Sequence, residues 1–208
     1  LVRTRHISAA IPNNVATRWL YQSATRQIVT TGERLREQLI RDNRFRPESI
    51  VSVPTGIDPE RFAPADRAQA KARLGLAPGE ACIGIVATLR SWKGHCYLVD
   101  AVANLRRKDA RLLVVGDGPG RANLRQQVAQ LGLQQRVLMP GNQTDVAPWL
   151  QALDVFVLPS YANEGVPQAL MQAMAVGVPV GATPVGSIDE LVRHEETGLM
   201  VPPRDADA

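Results

Sequence analysis

The chain has little cysteine, few aromatics, almost no lysine and no long apolar run, and each shortage removes a class of protein. Cys82 and Cys96 are the only cysteines in 208 residues and form no Cys-x-x-Cys pair. That excludes a disulfide-built scaffold and a cysteine zinc site, and fits a reducing compartment. Aromatics make up 4% of the chain and the net charge is +4, too few rings and too little charge for a nucleic-acid surface. No apolar stretch reaches the roughly 20 residues of a spanning helix, and no basic-then-apolar leader opens the chain. A cytoplasmic location is expected. Lys71, Lys93 and Lys108 are the only lysines, so arginine carries most of the positive charge. This balance is compatible with anionic substrates, or with peripheral contact at an anionic inner membrane face. The opening Leu-Val-Arg-Thr-Arg-His lacks an initiator methionine and reads as the middle of a domain, so a fragment is expected.

What remains is 45% hydrophobic and 21% charged, ordinary for one or two globular domains. From about residue 80 the pattern alternates strand and helix. Strands are expected at 82–87, 112–115, 137–139, 155–158, 178–182 and 198–201, with helices at 97–105, 122–131, 146–153, 167–177 and 188–192. Such alternation predicts an α/β fold with a doubly wound parallel sheet, Rossmann-like. Before it, strands at 2–7, 28–31 and 50–53, a short helix through Trp19, Leu20, Ala24 and Ile28, and a helix at 33–41 make a poor core on their own. Residues 1–65 therefore read as an incomplete first lobe with a proline-rich linker from Pro54, and residues 66–208 as the second domain. A basic helix at 68–74 opens it, closed by Gly75.

Residues 153–183 are the centre of the second domain. Val155–Leu158 is a buried strand ended by Pro159, and Pro167 suits the first position of a helix that Gly177 stops. Glu164 falls in the loop between them, at the carboxyl edge where open parallel sheets bind ligands. The unpaired N–H groups of Gly165 to Ala169 suit a phosphate or hydroxyl oxygen. Gln168 and Gln172, four apart, share a face. A solvated stripe behind an acidic helix start is the alternative, and spacing alone leaves both open.

Three further loops should reach the same edge. Arg90 and Lys93, three apart after the 82–87 strand, are placed to clamp a diphosphate, or are simply two surface charges. Gly116-Asp117-Gly118-Pro119-Gly120 fails the dinucleotide fingerprint, because Arg121 stands where its last glycine belongs and no acid ends the next strand. Thr183 to Ser187 is the remaining loop. Asp205-Ala206-Asp207 lies in a terminal tail and is a poor metal site. No metal-ligand cluster or Ser/His/Asp set is recognisable.

In order along the chain, Pro54-Thr55-Gly56-Ile57-Asp58, Lys93-Gly94, Val114-Val115-Gly116-Asp117-Gly118-Pro119, Glu164-Gly165-Val166-Pro167 and Gly177-Val178-Pro179-Val180 resemble the segments of the group 1 family of retaining glycosyltransferases. That family has the two-lobed GT-B fold. The resemblance covers about residues 50–203, and more loosely the stretch before. It implies transfer of a sugar from a nucleotide-sugar donor to an acceptor hydroxyl with retention, using no cofactor and no obligatory metal. A glycan or a lipid-linked molecule is the implied acceptor. Lys93 and Arg90 would meet the phosphates, Glu164 the donor sugar, Gln172 the ribose, and His6 would face the reacting carbon. Gly94, Gly116, Gly118, Gly165, Val166, Pro167 and Gln168 would line the donor site. Two positions depart from the family pattern: Gln172 replaces its second glutamate, and Thr88 replaces an arginine for which Arg90 is the substitute. The chain alone is expected to bind donor without turnover. A sugar-nucleotide epimerase or phosphorylase of the same architecture, and a non-catalytic sugar-nucleotide-binding domain, are the alternatives.

Overall fold

The computed structural model describes residues 1–6 and 8–208. The chain divides into two compact units. The smaller comprises Leu1–Gly56, Ala162–Gln168 and Pro184–Leu191; the larger comprises Ile57–Tyr161, Ala169–Thr183 and Val192–Ala208.

In the smaller unit, β1 (Val2–Arg5), β2 (Gln27–Thr30) and β3 (Ile50–Ser52) form a parallel sheet in that order. Two helices complete it, α1 (Val15–Gln22) and α2 (Glu33–Asn43). The Asn14 side chain accepts from Thr17 N at 2.8 Å and starts α1. Tyr21, Ile28, Leu39, Phe45 and Ile50 form the core, with the Tyr21 and Phe45 rings stacked at 5.1 Å. The helix expected through Ile28 stops sooner. The Thr25 hydroxyl donates to the Leu20 carbonyl, Trp19 is 62% exposed, and Ile28 is buried on β2. The 184–191 segment holds a single 3-10 turn, Ile188–Glu190, where a helix to Val192 was expected. Its function is visible at α2, whose start has no side-chain cap of its own. There the Glu190 carboxylate accepts from the backbone N–H of Glu33 and of Arg34, both at 2.9 Å, and Arg34 pairs with Asp189.

Among the described residues the larger unit forms one six-stranded sheet. In chain order its elements are α3 (Arg67–Arg73), β4 (Cys82–Val86), α4 (His95–Asn104), β5 (Arg111–Val115), α5 (Arg121–Gln130), β6 (Val137–Gly141), α6 (Ala147–Gln151), β7 (Val155–Leu158), α7 (Gln168–Ala175), β8 (Val180–Ala182) and β9 (Leu199–Met200). The strand order is β6-β5-β4-β7-β8-β9, parallel throughout. This is the doubly wound arrangement, reversing direction between β4 and β7, the position where such sheets take ligands. Ile85, Leu112, Leu113, Phe156, Leu158 and Leu170 are fully buried in its core. Residues beyond Ile57 are stitched to this unit: Arg61 pairs with Asp145 at 3.0 Å and Gln151 donates to the Ala63 carbonyl at 2.9 Å. Buried Lys71 binds α3 to the sheet, its Nζ reaching Asp154 Oδ2 and the Glu80 carbonyl, each at 2.7 Å.

Candidate functional site

Because the strands of the larger sheet are parallel, the loops after β4, β5, β7 and β8 all leave from one edge. Two of them are locked together by backbone. Leu89 N donates to the Asp117 carbonyl at 3.0 Å, and Gly120 N to the Leu89 carbonyl at 2.9 Å. A Cβ on Gly116, at φ +133°, would stand 2.1 Å from the Ala87 carbonyl oxygen, and one on Gly118 would stand 2.8 Å from that of Leu89. These glycines are required by loop-to-loop approach, whatever else they contact.

Arg90 precedes and Lys93 ends one 3-10 turn, Ser91–Lys93, which runs into α4 at Gly94. Gly94 has φ +72°, and a Cβ there would lie 2.0 Å from the Pro159 carbonyl oxygen. Tyr161 N donates to the Trp92 carbonyl at 2.8 Å. The loop after β4 is thereby held against the end of the β7 strand. Lys93 is half-buried, while Arg90 and Thr88 are exposed. The Arg90 guanidinium sits 5.5 Å from the Trp92 ring centre. His95, next after Gly94, is buried, and its pKa is pushed down to about 4, by burial first and by the Lys93 charge second.

The Glu164 turn belongs to the smaller unit. Asn163 takes a left-handed conformation, φ 58°, and Glu164 behind it is 4% exposed. Gly165 packs directly on the end of β1: an added Cβ would be 2.1 Å from the His6 carbonyl oxygen and 3.0 Å from Thr31 Oγ1. Gly186 presses on the other side, where a Cβ would be 2.1 Å from the Glu164 carbonyl oxygen. A cleft of about 320 Å³ is lined by His6, Thr31, Thr55, Val166 and Gln168. The structure thus brings His6, Val166 and Gln168 together in the smaller unit, beside Gly165 and Glu164. It places Arg90, Lys93, Gly94, Gly116, Gly118 and Gln172 in the larger unit. Pro167 is buried at the head of α7, Gln168 is exposed and Gln172 half-buried. Thr31 and Thr55 were missed from sequence, although Thr55 sits inside the Pro-Thr-Gly-Ile-Asp motif. Among the described residues, no three His, Cys, Asp or Glu side chains gather as a metal site, and no helix is long and apolar enough to cross a membrane.

A family model described as glycosyl transferases group 1 matches residues 80–208. A D-inositol 3-phosphate glycosyltransferase of Nocardia farcinica is 34% identical over 227 residues, covering 97% of this chain and 50% of the relative. The chain belongs to the group 1 glycosyl transferases. A lipopolysaccharide core biosynthesis mannosyltransferase, LpsB of Rhizobium meliloti, is 39% identical over 178 residues, 78% of this chain and 50% of the relative. The chain therefore spans about half the length of these curated relatives. A glycosyltransferase from Rickettsia africae superposes with TM-score 0.87 at 24% identity, over 100% of this chain and 57% of that one. Anabaena HepE, solved with UDP-glucose, gives 0.89 at 24% identity, over 99% and 59%. These likenesses establish the GT-B fold.

Proposed function

We propose that the whole protein is a retaining glycosyltransferase and that this chain carries its nucleotide-sugar-binding part. The observation that supports the reading best is the seating of the Glu164 turn, a buried acid beside a glycine pressed onto the His6 carbonyl. In this reading Glu164 holds hydroxyls of the donor sugar, and the N–H groups from Gly165 through Val166 to Gln168, with Pro167 opening the helix, face donor oxygens. Lys93 and Arg90 stabilise the charge that develops on the departing nucleoside diphosphate, the main electrostatic demand of this chemistry. Gly94, Gly116 and Gly118 let backbone approach the donor, Gln172 accepts a ribose hydroxyl as a neutral amide, and His6 faces the reacting carbon. The reaction needs no metal or cofactor, since side chains and helix N–H groups supply the positive charge.

The relatives' names favour a cell-envelope glycan or a polyol as acceptor; a lipid-linked molecule is the other acceptor of this reading, which puts the reaction in the cytoplasm, at the inner membrane face when the acceptor is a lipid. Thermal-shift titration of the chain with UDP, GDP, ADP and CMP and their sugar conjugates tests the donor half. Stabilisation by one nucleotide and its sugar is expected, and indifference to all refutes it. Retention is read from the product anomer formed by the full-length protein. The chain alone should bind donor without turnover, so multiple-turnover transfer by it would be a refutation. Gln172 is the specific observation that favours a second reading, a non-catalytic sugar-nucleotide binder. Absence of transfer by the full-length protein with every donor would select it. Release of free sugar would instead indicate an epimerase, and a requirement for inorganic phosphate and a glucan a phosphorylase.

A further inference from the structure

Thr31 and Thr55 line the cleft of the smaller unit with His6, Val166 and Gln168, and neither threonine has a part in donor binding as proposed above. All five belong to that one unit. At about 320 Å³ the cleft has room for one ring of a ligand rather than for a longer glycan. Its polar walls are two hydroxyls, an amide and an imidazole. Thr31 is buried, Thr55 half-buried, and Gln168 and His6 are exposed. Hydroxyls and amides both donate and accept hydrogen bonds, as the hydroxyls of a sugar or polyol do.

Charge narrows the choice further. Among the described residues that line the cleft there is no lysine, arginine, aspartate or glutamate. Two of the segments that build this unit, Ala162–Gln168 and Pro184–Leu191, contain Glu164, Asp189 and Glu190 but no lysine or arginine. The arginines nearest in sequence to His6 and Thr31 are engaged elsewhere. Arg5 donates to the Ala9 carbonyl, Arg34 pairs with Asp189, and Arg36 pairs with Glu33 at 2.7 Å. An anion in the cleft would lose water with no cation to offset the loss, and with the Glu164 acid two residues from Val166. An uncharged polyhydroxyl group meets no such penalty.

We propose that this cleft receives the acceptor, and that the acceptor presents there an uncharged polyhydroxyl ring, a sugar or a cyclic polyol, held by the Thr55 hydroxyl. The inference rests on the glycosyl-transfer reading and adds to it the chemistry of the group that takes the sugar. The experiment is an NMR titration of the histidine imidazoles of the intact chain with methyl α-mannopyranoside, myo-inositol and the phosphate monoester of each. The His6 signal is assigned by its loss in His6→Gln. At least one neutral probe should move that signal saturably and leave those of His95 and His194, which do not line the cleft, in place. Its phosphate monoester should bind about fivefold more weakly or worse, a comparison that needs no variant. Thr55→Val should weaken the neutral probe about fivefold, the scale of one hydrogen bond, and Thr55→Ser, which keeps the hydroxyl, should bind like the parent. The sugar nucleotide that stabilises the chain in thermal shift should leave the neutral probe's affinity intact. A His6 signal that neither neutral probe moves, a monoester that binds as tightly as its parent compound, a Thr55→Val variant that matches Thr55→Ser, or displacement of the probe by the sugar nucleotide would each overturn the proposal. The two readings fail separately: a chain that binds a nucleotide but leaves His6 unmoved refutes this inference alone, and one that ignores every nucleotide yet shows the full His6 response refutes the donor reading alone.

Discussion

Replacing Gly165 with alanine tests whether backbone contact seats the Glu164 turn. The new methyl would sit 2.1 Å from the His6 carbonyl oxygen and 3.0 Å from Thr31 Oγ1. Non-bonded heavy atoms settle at about 3.5 Å, so the turn or the end of β1 must give way by roughly 1 Å or more. The first obstacle is main chain, which has no rotamer to escape into. Gly165 lacks a positive φ, so the cost is steric rather than conformational. Overpacking of this kind costs about 1–3 kcal/mol, and the upper half of that range applies when the neighbour is backbone.

Gly56→Ala is the matched control in the same unit. Nothing lies within 4 Å of its Cβ position and its φ is ordinary, so it should stabilise by about 0.4–1 kcal/mol through the unfolded chain. Urea unfolding, with amide exchange read at β1 and β2, separates the two variants. Gly165→Ala should also lose affinity for the nucleotide-sugar that stabilises the parent, since Glu164 and Val166 ride on the displaced turn. Equal stability of the Gly165→Ala and Gly56→Ala variants would show that the turn does not depend on its contact with β1.

Three other outcomes are expected. Lys93→Ala should weaken nucleoside diphosphate binding by on the order of 1.5–3 kcal/mol in calorimetry, the scale of a charged hydrogen bond, and an unchanged Kd removes Lys93 from the site. Gln172→Glu should tighten nucleoside binding if the ribose lies on that face of α7, whereas no response places the ribose elsewhere. Glu190→Ala should cost about 1 kcal/mol as a lost helix cap. Burial pushes the Glu190 carboxyl up, but the Ser187 side chain and the N–H groups of Arg34 and Glu33 outweigh it and hold the pKa below its ordinary 4.5. The Glu190 contribution is therefore complete above pH 4.5 and lost as pH falls through the lower folded value, so a parent-minus-variant stability difference that grows on acidification refutes the assignment.

The legible parts of this fold were those in which local chemistry and tertiary environment agree. Val155–Leu158 reads correctly to the residue because an all-apolar β-favouring run between Asp154 and Pro159 has one use in a parallel sheet. The helix at 121–130 was placed to within one residue. The helix read through Trp19, Leu20, Ala24 and Ile28 ran too far, since α1 ends at Gln22, Trp19 is exposed and Ile28 is buried on β2. The 188–190 turn misled for another reason. Its acids serve a helix start 156 and 157 residues earlier in the chain, a partner no local window contains. The same limit hid Thr31, Thr55 and His95, which are unremarkable residues until the fold encloses them.

The two units share the chain in alternating segments. The chain leaves the larger unit after Tyr161 and rejoins it at Ala169, then leaves again after Thr183 and rejoins at Val192. Both excursions end on the small sheet or its helix: Gly165 on the His6 carbonyl, Glu190 on the start of α2. Deleting residues 1–56 would therefore remove the surface on which the Glu164 turn rests, as well as the helix that Glu190 caps, while leaving the six-stranded sheet its own core. The strand before this turn and the helix after it fix where it starts and ends; what fixes its shape is contact with residues more than 130 positions earlier. A donor site built on that turn would then have its geometry set by the smaller unit and its three-stranded sheet, and Gly165, rather than any charged residue, is where that dependence is concentrated.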